Sequence, residues 1–255
     1  MKSLFAQSGQ VLLCLLLTVS NGLAAKDALI VGVENQYYLP VYAYEKGVYQ
    51  GFARELLDAF ARDRGYRIEY RALPVPRLYA SFIAGQVDFK FPDNPRWKQD
   101  QRVGKPIVYS EPVLSFVDGV SLPPNKRKMP LDGIKRLGTV GGFTPWAWID
   151  RIKSGKTQLS ENSSLEALVR QTLAGRVDGA YASVAVINYQ LDHVLKQPGA
   201  LVFDPSLPNS RDSYYLSSIK RPQVVLEFNA WMREHQDRVA ALKKKHAVEK
   251  GLATH

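Results

Sequence analysis

The segments FIAGQVD at residues 82–88 and TLAGRVD at residues 172–178 are near copies of one another and decide the fold. Each joins an apolar helix end, a glycine suited to the left-handed position after a helix, and a Val-Asp pair that enters a buried strand. Their glycines, Gly85 and Gly175, lie 90 residues apart. One such turn indicates only an α/β fold, whereas two, each followed by a strand and a loop, predict two lobes of similar plan.

The residues before each segment supply the strands and helices of those lobes. The apolar run at residues 28–33 predicts a buried strand, and residues 52–60 place apolar side chains on one face of a helix. A second helix is predicted at residues 77–84. In the second lobe, Ser163 with Glu166 three residues later predicts a capping box at the start of a helix.

The last third of the chain predicts a strand at residues 214–219 and a long amphipathic helix from Pro222. We expect the chain to cross between the lobes near residues 109–121 and again near residues 206–213. Two α/β lobes around a cleft form a geometry that closes on a ligand by hinge motion.

The N-terminus has the order of a secretory signal. Lys2 is followed by the apolar run VLLCLLLTV at residues 11–19 and by small residues, with cleavage expected near Ala24 or Ala25. A membrane-spanning helix needs about 20 apolar residues, and the run at residues 11–19 is too short for one. We therefore expect a signal that is cleaved, and a periplasmic protein with no membrane insertion after cleavage. The only cysteine, Cys14, lies inside that run, so the processed chain is expected to form no disulfide and no thiolate metal site.

The chain has a formal net charge of +10, but its basic residues are scattered apart from the lysines at residues 243–245. That run is typical of a solvated helix face, and we expect no nucleic-acid partner. The four histidines lack the spacing of metal ligands, so no metal site is predicted. No other cofactor and no catalytic residue is predicted either. These histidines are His193, His235, His246 and His255.

Several stretches, in order, resemble the extracellular solute-binding protein family 3, the polar amino-acid receptors of ABC importers. They are residues 47–57 (GVYQGFARELL), 84–88 (AGQVD), 109–112 (YSEP), 131–134 (LDGI) with Gly141, and 174–178 (AGRVD). No single stretch is specific, but the ordered set is, and it covers nearly the whole chain after the signal.

The resemblance implies a periplasmic binding protein-like type II fold, in which two α/β lobes are joined by a hinge around an interlobe cleft. The expected organisation is a signal peptide at residues 1–25, lobe one at residues 26–113, and lobe two at residues 114–210. Residues 211–255 are expected to return to lobe one and end in the C-terminal helix.

The resemblance also implies a ligand held between the lobes. Tyr37, Tyr38 and Tyr42 follow the first strand and are candidates to stack on the ligand, with packing beneath the loop as the alternative. The turn Gly142-Phe143-Thr144 precedes a predicted helix, whose free N–H groups and dipole favour a carboxylate. Its alternative role is that Thr144 only caps an ordinary helix.

An arginine of lobe one is the expected partner of a ligand carboxylate, because a guanidinium can grip it with two parallel hydrogen bonds. In the family this arginine lies six residues before the crossover aromatic. Arg102 lies seven residues before Tyr109, and Arg96 is the rival candidate. Either arginine can instead be an ordinary surface charge.

Two departures from the family put a standard α-amino acid in doubt. Ser183, five residues after Asp178, stands where the family has a carboxylate for the ligand ammonium. In lobe one, PDNPRW at residues 92–97 replaces a small, hydroxyl-rich segment, which makes Asp93, Asn94 and Trp97 further candidates. Asp93 either supplies the missing charge or caps a turn. A modified amino acid, an amine or an organic anion therefore stays open as the ligand.

The sequence favours a monomeric solute-binding protein that closes its cleft on a small molecule and presents the closed form to an ABC permease. A periplasmic lyase similar to cyclohexadienyl dehydratase is one alternative, with Asp93, Glu34 or Glu111 as the acid or base. A sensory or accessory binding protein without an importer is the other alternative.

Overall fold

The computed structural model describes residues 28–252. The predicted signal peptide at residues 1–25, with Cys14, Ala24 and Ala25, lies outside the described residues, as does His255. Within residues 28–252, no helix has both the length and the apolar character required to cross a membrane.

The strands and helices follow the alternating order expected of an α/β fold. The strands are β1 (Ala28–Glu34), β2 (Tyr37–Tyr38), β3 (Tyr42–Glu45), β4 (Val48–Gln50), β5 (Arg67–Leu73), β6 (Phe89–Asp93), β7 (Val108–Tyr109), β8 (Leu114–Leu122), β9 (Arg136–Val140), β10 (Gln158–Asn162), β11 (Gly179–Ser183), β12 (Val202–Phe203) and β13 (Ser210–Ser218). The helices are α1 (Phe52–Arg64), α2 (Val75–Ile83), α3 (Gln99–Arg102), α4 (Ile149–Lys153), α5 (Leu165–Leu173), α6 (Val184–Tyr189), α7 (Pro222–Glu234) and α8 (Gln236–His246).

One sheet runs through both lobes in the order β10-β9-β11-β8-β13-β6-β1-β5. In lobe one, β1 pairs in parallel with β5 and β6, and in lobe two β9 pairs in parallel with β10 and β11. The long strands β8 and β13 are antiparallel and join the two halves. The first part of β13 pairs with β8, and the part from Tyr215 onward pairs with β6 and β7, so β13 passes from one lobe to the other.

The two copies of the repeated segment have the same structure. Gly85 and Gly175 both have φ of +70° after the ends of α2 and α5, where a side chain on Cα would be strained. In each lobe a central-strand glycine allows the helix to approach closely. A Cβ on Gly32 would lie 2.6 Å from Leu78 Cδ1, and one on Gly138 would lie 2.6 Å from Leu168 Cδ1. The internal repeat predicted from the sequence is therefore present at the level of side-chain packing.

The structure corrects the predicted start of α5. Ser164, rather than Ser163, is the N-cap, and its hydroxyl accepts a hydrogen bond from the Ala167 N–H at 3.1 Å. The two serines are adjacent, so the sequence pattern alone was ambiguous by one residue. The predicted C-terminal helix is also interrupted near His235, which divides it into α7 and α8.

The end of the described chain contacts lobe two. Helix α8 packs on α1 of lobe one, with Lys245 Nζ 2.7 Å from a carboxylate oxygen of Glu55. Beyond α8, Lys250 forms an ion pair with Asp192, and its carbonyl accepts a hydrogen bond from Asn188 Nδ2 at 3.3 Å. Residues 247–252 thus add a contact with lobe two to a segment that the sequence assigns to lobe one.

Candidate functional site

A cavity of about 1040 Å³ lies between the two lobes and is lined by residues of both. The lobe-one wall includes the end of β1, the β2–β3 hairpin, Pro92 and residues 96–100. The lobe-two wall comes from β8, the turn after β9, the start of α5, and the π-helical turn Gln190–Val194. Ligand pockets of proteins are concave and typically about 300–1,000 Å³, so this cavity is large enough for a small solute.

Most of the residues predicted from the sequence lie at this cavity, and the rest do not. Those at the cavity are Tyr37, Tyr38, Tyr42, Arg96, Trp97, Gly142, Phe143 and Thr144. Those outside its lining are Asp93, Asn94, Arg102 and Ser183. Contact with a ligand stays a prediction for the first group. In the second group Asp93, Asn94 and Arg102 have side-chain partners in the fold, and Ser183 stands opposite Asp118 in the β8–β11 pairing.

The Asp93 carboxylate is fully buried and engaged inside lobe one. Arg102 donates to both of its oxygens, at 2.9 Å from Nη1 and 2.6 Å from Nη2. Lys90 Nζ lies 3.3 Å away, and the Ser217 hydroxyl donates at 2.5 Å. Burial alone would raise the pKa of Asp93, but Lys90, Arg102 and Ser217 outweigh it and hold that pKa below its ordinary value.

This ion pair corrects the expected roles of Asp93 and Arg102. The guanidinium already makes the bidentate contact that was predicted for a ligand carboxylate, and it also donates to the hydroxyl of Tyr109. Of the two candidate arginines, the structure places Arg96 at the cavity, with its Nε 3.5 Å from Asp212 Oδ2. Arg96 is 75% exposed, so it is free to reorient toward the cavity.

Asn94 fixes the course of the chain between Asp93 and Arg96. Its Nδ2 donates to the Ser213 carbonyl at 2.9 Å, and its Oδ1 accepts from the Arg96 N–H at 2.8 Å. Asn94 is fully buried, so both bonds are partly shielded from water. Asn94 thereby supports the loop that carries Arg96 and Trp97 into the cavity wall.

Aromatic rings form much of the cavity wall. The rings of Tyr38 and Tyr42 stack with centroids 5.3 Å apart, and Trp97 packs edge-on against Tyr214 at 5.9 Å. The Tyr42 hydroxyl donates a 2.5 Å hydrogen bond to Glu34, an acid that also lines the cavity. Such rings provide rigid apolar contact area, with polar groups at their edges.

Tyr37 lines the cavity and lies close to a residue of lobe two. It lies on β2 of lobe one, and Tyr189 lies on α6 of lobe two. Burial, and then the neighbouring Tyr189 hydroxyl, raise the pKa of Tyr37 to about 12. The two lobes are therefore close to one another at Tyr37 and Tyr189.

The turn at residues 142–144 lacks the predicted helix start. A 3₁₀ turn, Trp146–Trp148, follows it, and α4 begins only at Ile149 and has five residues. Thr144 caps neither element, since no side-chain cap hydrogen bond is formed at either start. The predicted helix-dipole contribution at Gly142-Phe143-Thr144 is therefore wrong. Sterically, Pro145 has ψ of 73°, which lies outside the helical region and delays the helix.

Two buried polar residues of the cavity were missed by sequence reasoning. Gln190 lies on the π-helical turn of lobe two and is 2% exposed. Asp118 lies on β8 and lines the cavity, and only 8% of its surface is exposed. A signal for Asp118 was present, because it is the one charged residue in the mostly apolar strand Leu114–Leu122. Aspartate is rare in β-strands, so its presence in this strand calls for an explanation.

Asp118 differs from Asp93 in having no counter-charge. Its Oδ1 is buried without a hydrogen-bond partner, and no ion pair involving it occurs within residues 28–252. Burial, together with the nearby Asp212 carboxylate, raises the pKa of Asp118 to about 8. In the strand pairing, Asp118 stands directly opposite Ser183 of β11.

The ionisable groups at the cavity are more acidic than the chain as a whole. The acids are Glu34, Glu45, Asp100, Asp118 and Glu166, and the bases are Arg96, Lys98 and Lys153. Acids therefore outnumber bases by five to three at the cavity, whereas the whole chain carries +10. No cluster of side chains in residues 28–252 has the composition of a metal site.

A protein-family model described as bacterial extracellular solute-binding proteins, family 3, matches residues 29–244. No curated protein sequence matches the chain. Among solved structures, the arginine-, lysine-, histidine-binding protein ArtJ from Geobacillus stearothermophilus is similar with a TM-score of 0.66 and 19% identity, over 86% of this chain and 95% of that one.

Two further structures have the same architecture. AncCDT-1, an ancestral amino acid-binding protein and precursor of cyclohexadienyl dehydratase, gives a TM-score of 0.66 at 17% identity, over 86% of this chain and 95% of that one. The GluR0 ligand-binding core in complex with L-glutamate gives 0.69 at 15% identity, over 87% of this chain and 99% of that one. At these identities the likeness shows the fold, and the predicted type II architecture of two α/β lobes is confirmed.

Proposed function

Because the chain belongs to the bacterial extracellular solute-binding proteins of family 3, as the resemblance predicted, we propose that it captures a small polar solute between its lobes in the periplasm. The observation that carries this proposal is the cavity of about 1040 Å³ whose walls come from both lobes. A ligand that touches both walls binds the closed form more tightly than the open form and so shifts the population toward closure.

The proposed ligand is an amino acid or a related amine or organic acid. ArtJ is described as binding arginine, lysine and histidine, and the GluR0 core is described in complex with L-glutamate. The stacked tyrosines on one wall and the acids around the cavity favour a solute that has both an apolar part and a cationic group. Arg96 is the candidate for an anionic group of that solute.

Closure would act through the two strands that join the lobes. Strands β8 and β13 pass between the lobes side by side, and small rotations at their ends would move one wall toward the other. In this proposal the signal peptide is cleaved near Ala24 or Ala25, and the closed monomer is recognised by an ABC permease. A neighbouring gene for a sensor kinase, in place of permease and ATPase genes, would instead favour a sensory role.

A thermal-shift screen of the processed chain against amino acids, amines and small organic acids tests the binding function. A ligand at 100 times its Kd stabilises the folded state by about 2.7 kcal/mol. Tyr37→Ala should weaken binding by roughly tenfold, because it removes an aromatic wall of the cavity. Val103→Ala is the control, since Val103 is 81% exposed and lies outside the cavity lining.

A screen in which no compound shifts the midpoint would reject the function. A shift that survives Tyr37→Ala unchanged would place the ligand outside this cavity. These two results are distinct, because the first concerns binding itself and the second concerns only its location.

A lyase acting in the same cleft is the second candidate function. One observation favours it: Asp118 is a buried carboxyl whose pKa of about 8 lets it hold a proton near neutral pH. Product formation from prephenate or arogenate by the purified protein would support this alternative. If product forms, an Asp118→Asn variant should abolish it, since the amide cannot donate that proton to a leaving group.

A further inference from the structure

Asp118 is a buried acid that faces the cavity without a partner. Its side chain lines the cavity while the residue is 8% exposed, so more than nine-tenths of its surface is shielded. Its Oδ1 accepts no hydrogen bond within residues 28–252. A buried carboxyl without hydrogen bonds or a counter-charge is unfavourable, so its retention at the cavity wall needs a reason.

The neighbouring buried acid of the cavity has partners and does not raise the same question. Glu34 is also 8% exposed, yet it accepts a 2.5 Å hydrogen bond from Tyr42 and lies 3.8 Å from Lys90 Nζ. Asp118 stands opposite Ser183 in the β8–β11 pairing, where the hydroxyl carries no charge. Asp118 is therefore the buried cavity acid with unused capacity to accept hydrogen bonds.

We propose that Asp118 binds a protonated amine of the captured solute, so that the cleft selects amines over otherwise identical alcohols. An ammonium would supply both the missing charge and the missing hydrogen-bond donors. Apart from Asp118, four acids and three bases line the cavity, which would assist by making its potential more negative than that of the basic surface. The inference rests on the proposed binding function and specifies the chemical group that the cleft recognises.

The groups around Asp118 predict how binding depends on pH. Asp212 and Tyr214 face it from β13, Tyr38 from β2 and Tyr181 from β11. Asp212 in turn pairs with a cation, since Arg96 Nε lies 3.5 Å from its Oδ2. With burial and Asp212 raising its pKa to about 8, Asp118 holds a proton in the free protein near pH 7.

Binding of an ammonium would therefore release that proton to the solvent. The carboxylic acid becomes a carboxylate paired with the ammonium. The single positive charge that the ammonium brings in leaves with the released proton, so total charge is conserved. Affinity should rise by up to about tenfold for each pH unit between pH 6 and pH 8, because less deprotonation is then required. Above pH 8 the dependence should level off until the amine itself loses its proton.

Isothermal titration calorimetry of matched solute pairs tests the inference. The probes are L-alanine with L-lactate, L-glutamate with L-2-hydroxyglutarate, and putrescine with 1,4-butanediol. At least one amine should bind the wild-type protein 30-fold or more tighter than its alcohol, a difference of about 2 kcal/mol. Titration at pH 7 in two buffers of different ionisation enthalpy should show close to one proton released for each amine bound.

Asp118→Asn is the test variant, and Asp237→Asn, the same substitution at an exposed site, is its control. The amide preserves shape, but it cannot neutralise an ammonium, so the amine should lose about 30-fold or more in affinity and proton release should vanish. Asp237 is exposed on α8 and outside the cavity lining, so its variant should keep wild-type affinity and proton release. A circular-dichroism melt of each variant confirms that it is folded.

The outcomes separate this inference from the broader function. An amine that binds Asp118→Asn as tightly as wild type, or that binds without proton release, would overturn the role of Asp118 and leave the binding function standing. That role is also overturned if alcohols bind as well as their amines, or if no amine of the three pairs binds while another solute in the wider screen does. A complete absence of solute binding would reject the binding function and this inference together.

Discussion

Asp93 in lobe one and Asp118 in lobe two are both buried acids on the sheet, yet they have opposite environments. Asp93 is 0% exposed and receives Arg102, Lys90 and Ser217, so its pKa is held below the ordinary range. Asp118 is 8% exposed with no ion pair in the described chain, and burial raises its pKa to about 8. The partners of an acid, rather than its burial, decide whether it stabilises the fold or remains open to a ligand.

The repeated segment makes this contrast sharper. Asp93 and Ser183 are equivalent positions, since each lies five residues after the aspartate of its copy, Asp88 and Asp178. In lobe one the acid at that position is sequestered by an arginine of α3. In lobe two the position is neutral, and the acid stands opposite it on β8. The two lobes share one plan but differ in the strand that carries the buried acid and in whether that acid is paired.

The largest expected effect follows from neutralising the paired acid. Asp93→Asn leaves the Arg102 guanidinium without its counter-charge and leaves the buried Lys90 with only the more distant Glu34, at 3.8 Å. The unfolding free energy should therefore fall by about 3–5 kcal/mol. Urea denaturation followed by circular dichroism measures this change.

Asp237→Asn is the matched control for Asp93→Asn. Asp237 is exposed on α8, and its substitution should change unfolding free energy by no more than about 0.5 kcal/mol. Equal stabilities of the two variants would show that the Asp93–Arg102 pair does not support the fold, and the contrast between the lobes would disappear.

Neutralising the unpaired acid, Asp118, should change stability in the opposite direction to neutralising Asp93. Asp118 has a folded pKa of about 8 against an ordinary value of 3.8, so between these values the folded state holds a proton that the unfolded state lacks. Its contribution is full below pH 4 and declines as pH rises toward 8, by up to about 1.4 kcal/mol per unit. Asp118→Asn does not titrate, so it should gain stability relative to wild type as pH rises.

Urea denaturation of Asp118→Asn and wild type at pH 5, 6, 7 and 8, without added solute, measures that trend. The difference in unfolding free energy should move steadily in favour of the variant. A difference that is flat with pH, or that moves in favour of wild type, would mean that Asp118 is ionised and already stabilised in the free protein.

The sequence predicted the fold well because the decisive signals are local. A helix end, a glycine and a strand entry lie within seven consecutive residues in each copy of the repeat. The structure has these three features at the same spacing in both copies. The helix predicted after Thr144 failed because one backbone angle at Pro145 delays it, and no residue pattern encodes that angle.

The site was harder to predict because its chemistry depends on pairings between distant residues. Whether Arg102 is free depends on Asp93 beside it, and the position of Asp118 depends on β11 and β13, which lie 60 or more residues farther along the chain. The aromatic residues Tyr37 and Trp97 do reach the cavity wall, because they follow strands whose ends face it. Their contact with a ligand stays a prediction.

A smaller effect tests whether the two lobes share their helix packing. Gly32→Ala and Gly138→Ala each place a Cβ 2.6 Å from a buried leucine of the adjacent helix, Leu78 or Leu168. Each should lower unfolding free energy by about 1–3 kcal/mol through overpacking, and by similar amounts. The control is Gly155→Ala, where a Cβ meets nothing within 4 Å but the positive φ adds backbone strain.

Differential scanning calorimetry of the three variants decides between packing and backbone strain. If the two strand variants match one another and show a larger loss than Gly155→Ala, close helix approach is a common feature of both lobes. A strand variant as stable as wild type would show that its helix can move away, and that the packing of the two lobes is not equivalent.

The smallest effect concerns how the helices before the two repeated segments begin. In lobe one α2 starts after Pro74 with no side-chain cap, whereas in lobe two Ser164 caps α5 with a 3.1 Å hydrogen bond from the Ala167 N–H. Ser164→Ala should lower unfolding free energy by about 1 kcal/mol, since that N–H loses its acceptor. Ser163→Ala is the adjacent control and should have less effect, because the Ser163 side chain does not cap the helix. If Ser163→Ala proves the more damaging change in urea denaturation, the capping box predicted from the sequence is the one that forms in solution.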